Sequence, residues 1–168
     1  LDPGLAINAF ISMPHALDRI SGYLDGHRPE LVRAKAAWAL GELGDRRAAG
    51  RLWECAKHGA GNIARRGALE ALLRLDAWRD IPVEWVIDEA RVEKDPAIRK
   101  YHYLILARMG PENLELILEA AAKREDDMTA RLAIEFAAHE TGSLYRIAGA
   151  FRKIAPALVP SGHPGERR

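Results

Sequence analysis

The stretch Glu30 to Asp45, ELVRAKAAWALGELGD, sets the frame for the chain. Counting from Arg33, small or apolar residues follow at Ala36, Leu40 and Leu43, and Gly44 closes the run. That spacing gives one apolar face of an α-helix, ended by a glycine suited to the left-handed C′ position. The same frame returns from Arg65 (Ala68, Leu72, Leu75, with Asp76 in the glycine slot), from Arg99 (His102, Leu106, Met109, Gly110) and from Arg131 (Ile134, Ala138, Thr141, Gly142). The four arginines are separated by 32, 34 and 32 residues. A regular period of this size is the signature of a solenoid.

A second set of amphipathic segments lies between these: roughly 14–24, 46–57, 81–92, 111–123 and 143–154. Their apolar residues also fall three and four apart, as in Leu114, Ile117, Leu118 and Ala121. Each unit is thus a helix pair that cannot bury its apolar face alone, whereas stacked neighbours can. The expected fold is all-α, a right-handed α-solenoid of about four to five pairs over residues 14–156. Residues 1–13 read as a partial repeat or N-terminal cap. Residues 157–168, rich in proline, glycine and charge, read as a disordered tail.

The motif V-R-x-x-A-x-x-x-L-x-x-L-G at Val32–Gly44 resembles the HEAT family, in particular the short HEAT-like repeats of phycobilisome lyases. The resemblance covers roughly residues 14–156. It implies that each repeat arginine pairs with an acid about six positions upstream. Glu93 before Arg99 and Glu125 before Arg131 match; His27 and Gly59 do not, and Asp25 is a substitute in the first unit. It also implies that the arginine-bearing helices line the concave face.

Composition narrows the functions. The 168 residues are 48% hydrophobic and 29% charged, with a net charge of +1, as in a folded helical domain without a general attraction to nucleic acid or membrane. A single cysteine, Cys55, excludes an intrachain disulfide framework and fits a reducing, cytoplasmic setting; it reads as a small buried hydrophobe. No stretch approaches the ~20 apolar residues of a membrane span. The chain opens partway through a unit, which suits a segment of a longer polypeptide with a domain upstream.

Rows counted from each arginine give the candidate site. The row five after holds Trp38, Glu70, Leu104 and Phe136, where polar residues are the norm. The central inner helices add Arg66, Arg74, Lys100 and Arg108 beside Tyr101. Large apolar residues and arginines are typical interface anchors. The expectation is therefore a protein-interaction scaffold that takes another protein or peptide, an acidic one suiting the cations, through Trp38, Arg66, Arg74, Lys100, Tyr101, Leu104, Arg108 and Phe136. The alternative is nucleic acid, with phosphates on the cations and a base stacked on Tyr101 or Trp38. Some HEAT-like DNA glycosylases use such a face. No catalytic residue, metal or cofactor is expected. The likeness to bilin lyases raises an enzyme as a lesser alternative. His139-Glu140 resembles one of the His-Glu pairs of the di-iron HEAT enzyme deoxyhypusine hydroxylase, which needs several. His102, between two tyrosines in the small-residue slot, reads as a core histidine.

Overall fold

The computed structural model describes residues 15–59 and 61–140. Eight α-helices follow one another among the described residues: α1 (Ala16–Ser21), α2 (Glu30–Leu43), α3 (Ala49–His58), α4 (Asn62–Arg74), α5 (Val83–Val92), α6 (Pro96–Met109), α7 (Leu114–Ala122) and α8 (Met128–Glu140). There is no strand among the described residues. The fold is an all-α solenoid in which α2, α4, α6 and α8 carry the repeat arginines. The expected cap over 1–13, the segment 143–154, Gly142 and the tail lie outside the described residues.

Local chemistry sets the helix ends. Gly44, Asp76 and Gly110 all adopt the left-handed conformation at the positions given by the repeat frame, with φ of 73°, 51° and 58°. Asp76 tolerates it because a short polar side chain carries a small penalty there. Asp95 caps α6 by accepting from the Ala97 amide at 2.9 Å, and Asp127 caps α8 by accepting from Thr129 and Ala130.

The apolar faces then stack. Leu40, Leu72, Leu106 and Ile134, one per arginine-bearing helix, are fully buried in a single continuous core. These four helices pack directly on one another, while each outer helix packs mainly on the inner helix that follows it. Small residues allow the close approach of α2 and α4. A Cβ at Gly41 would sit 3.2 Å from the Ala71 backbone, and one at Gly67 would sit 3.2 Å from the Ala34 carbonyl. Trp78 packs half-buried against the core, with its indole N–H directed at Asp76. Trp53 and Trp85 join α3 to α5 edge to face at 4.4 Å.

The arginine ladder runs opposite to the expected direction. The carboxylate six residues upstream of each arginine belongs to the arginine of the preceding unit. Arg65 reaches Glu93 at 2.7 Å, and Arg99 reaches Glu125 at 2.6 and 2.8 Å. Glu93 gives Arg99 only its backbone carbonyl, at 3.1 Å. The reason is geometric: an arginine at a helix start points across the stack toward the next inter-helix turn. Arg65, which has Gly59 upstream, is therefore fully engaged. Asp25 is not a ladder acid, since its carboxylate takes Arg51 instead.

Candidate functional site

The outward side of α2, α4, α6 and α8 brings most of the expected residues into one band. Trp38 and Phe136 are exposed at 38% and 47%, on the first and last inner helices. Leu132 and Met128, one and two turns before Phe136, extend the apolar end and are more exposed still. Arg66 and Arg108 are exposed and Lys100 is half-buried; none of the three forms an ion pair with a described residue. The Lys100 ammonium lies over the Tyr101 ring, 4.5 Å from its centroid, a cation–π contact that fixes its direction. Leu104 is half-buried between the cationic and apolar parts.

Two expected members behave differently. Tyr101 is not an open stacking platform. It is 8% exposed because its row turns toward the preceding inner helix, and its hydroxyl donates to Glu70 at 2.9 Å. Burial, reinforced by that carboxylate, pushes its pKa up to about 12. Arg74 is not a free cation. It pairs with Glu42 of α2 and with Glu70 one turn earlier, at 3.4 Å. Glu42, Arg74, Glu70 and Tyr101 thus form a bridge across three inner helices. Row spacing placed Glu70 with Trp38, Leu104 and Phe136, apart from Arg74; the cross-helix pairing was the missing element.

The other chemically capable groups are structural. Cys55 is buried, donates weakly toward the Ala64 carbonyl, and has its thiol pKa raised by burial. That environment disfavours a thiolate nucleophile. His102 is fully buried against the edge of Trp85, 5.5 Å between centroids, as expected of a core histidine. Neither ring nitrogen has a hydrogen-bond partner among the described residues, and burial lowers its pKa to about 4. No cluster of three or more His, Cys, Asp or Glu among the described residues is arranged to hold a metal. No described helix is long and apolar enough to cross a membrane.

No curated protein matches the chain. Residues 4–73 match the family model of HEAT repeats. The frame of that matched region, similar to HEAT repeats, continues through Arg99 and Arg131.

Proposed function

We propose that the chain is a protein-interaction scaffold whose inner-helix face takes an extended partner segment with an acidic residue between apolar ones. The observation that carries this reading is the order of side chains along the stack. Trp38 stands at one end, Arg66 and Lys100 in the middle, and Leu132 and Phe136 at the other. Direct stacking of the inner helices lets an extended segment on this face touch several units at once. The apolar ends supply burial and the cations supply orientation and steering.

Nucleic acid is the weaker reading. Two of its expected contributors are engaged elsewhere, Arg74 with two carboxylates and Tyr101 with Glu70. Arg66, Lys100 and Arg108 alone make a small phosphate footprint.

A peptide library displayed on phage and selected against the purified chain tests the proposal. The expected consensus has an acidic residue flanked by apolar ones. Its binding should fall at least about tenfold in Arg66→Glu/Lys100→Glu and again in Trp38→Ala. Selected peptides that bind these variants and the parent alike would place the interaction elsewhere.

A further inference from the structure

The inner helices stack in register, and the register limits how a bound segment can be spaced. Glu30 at the start of α2 accepts from the Ile63 amide at the start of α4, at 2.7 Å. Asn62 in turn donates to Asp95, the cap of α6, at 2.8 Å. Equivalent levels of neighbouring inner helices therefore stand side by side. The row three after each arginine, Ala36, Ala68, His102 and Ile134, is buried on every helix. The rows one and five after are open on every helix. They hold Ala34, Arg66, Lys100 and Leu132, and Trp38, Glu70, Leu104 and Phe136. One turn separates the two rows, so together they make a strip that crosses all four inner helices.

The free charge of this strip lies on its two middle helices, at one level. Arg66 of α4 and Lys100 of α6 form no ion pair with a described carboxylate. Both stand near Tyr101: the Lys100 ammonium lies over its ring, and the Arg66 charge works against the rise in its pKa. Glu70, one turn after Arg66, is committed to the Tyr101 hydroxyl and to Arg74. The strip thus offers an apolar anchor at Trp38, one cation on each of the next two helices, and a second apolar anchor at Leu132 and Phe136.

Helices packed directly on one another stand about 8–10 Å apart. A polyproline II segment rises about 3.1 Å per residue with three residues per turn, so every third side chain returns to the same side after about 9.3 Å. The two repeats match. A β-strand returns to the same side only every second residue, about 6.8 Å, which falls short of one unit. A helical segment covers one unit in about seven residues, at 1.5 Å each. We propose that the partner segment binds in the polyproline II conformation, with two carboxylates three residues apart on Arg66 and Lys100 and an apolar residue three positions beyond each. This rests on the inner-helix face being the binding face, and it adds the conformation and the spacing of what binds there.

The test uses dye-labelled peptides titrated into the purified chain, read by fluorescence anisotropy. The first has ten residues, with leucine at both ends, glutamate at the fourth and seventh positions, and proline and serine between. The second has its glutamates adjacent, and the third has them seven apart in a helix-forming sequence. The first should bind at least about tenfold tighter than either of the others. Lys100→Glu and Arg66→Glu should each weaken it at least about tenfold. Lysine at one glutamate position should restore binding to Lys100→Glu, and lysine at the other should restore it to Arg66→Glu. Which position answers which variant gives the direction of the segment. The proposal is overturned if no peptide binds, if all three bind alike, or if the same lysine position restores both variants. Equal binding of the three that is still lost in Arg66→Glu/Lys100→Glu and Trp38→Ala sinks the spacing alone and leaves the face standing. Binding that ignores those variants removes the face as well.

Discussion

Arg99 grips Glu125 through two of its nitrogens, Nε at 2.8 Å and Nη2 at 2.6 Å, across 26 residues of chain. The pair is largely shielded, with side chains 15% and 2% exposed, and Tyr103 shares the same carboxylate. Burying such a pair is costly, so its net contribution is modest, but breaking it is expensive because one charge stays behind. Glu125→Ala should therefore destabilise the chain by about 3 kcal/mol. Urea unfolding monitored by circular dichroism checks this. Glu125→Gln should cost less, since it retains an acceptor.

His102 makes stability depend on pH. Its ordinary pKa of 6.5 is lowered to about 4 by burial, with Glu93 favouring the charged ring and Arg65 opposing it. Well above pH 6.5 the ring is neutral in both states, so proton binding does not affect stability. As pH falls from about 6.5 to about 4 the unfolded chain takes a proton that the folded chain refuses, and about 3 kcal/mol of stability is lost. His102→Leu should flatten that part of the pH profile. It should cost little at neutral pH, because no hydrogen bond is broken among the described residues. Denaturation midpoints at pH 7.5, 6 and 4.5 distinguish the two chains.

Two glycines predict opposite signs. A Cβ at Gly41 would press on Ala71 at 3.2 Å, so Gly41→Leu should force α2 and α4 apart and cost about 1–3 kcal/mol. Gly50 lies in α3 with nothing within 4 Å of a Cβ, so Gly50→Ala should stabilise by about 0.5–1 kcal/mol. Thermal melting of both variants decides it.

Tyr101→Phe removes the hydroxyl that meets Glu70 while keeping the ring under Lys100. A loss of about 1 kcal/mol in stability is expected. Peptides selected on the inner-helix face should bind Tyr101→Phe as they bind the parent chain, a comparison made by isothermal titration.

The helices were legible because each inner helix repeats one spacing and one stop signal. Even Asp76, which breaks the glycine pattern, takes the left-handed turn its slot demands. Trp38 and Phe136 were legible for the same reason, as exceptions in a row of equivalent positions. The direction of the ladder was not. Spacing along the chain places Glu93 six before Arg99, but the partner of Arg65 is decided by which turn the guanidinium faces. Tyr101 was misplaced because its row faces outward on α2, where Lys35 is exposed, and inward on α6, where α4 stands against it. A residue's row gives its rotation about one helix, not what the neighbouring helix covers.

The forward reach of the ladder makes the two ends of the repeat array inequivalent to surgery. Removing units from the N-terminal side takes each arginine away together with its claim on the next turn. Cutting just before Glu93 or Glu125 instead strands Arg65 or Arg99 inside a fold built to hold its charge. Grafting or shortening this scaffold should therefore keep every inner helix with the turn that follows its downstream neighbour. A repeat boundary drawn at each arginine keeps each clasp within one unit, whereas one drawn just before Glu93 or Glu125 severs it.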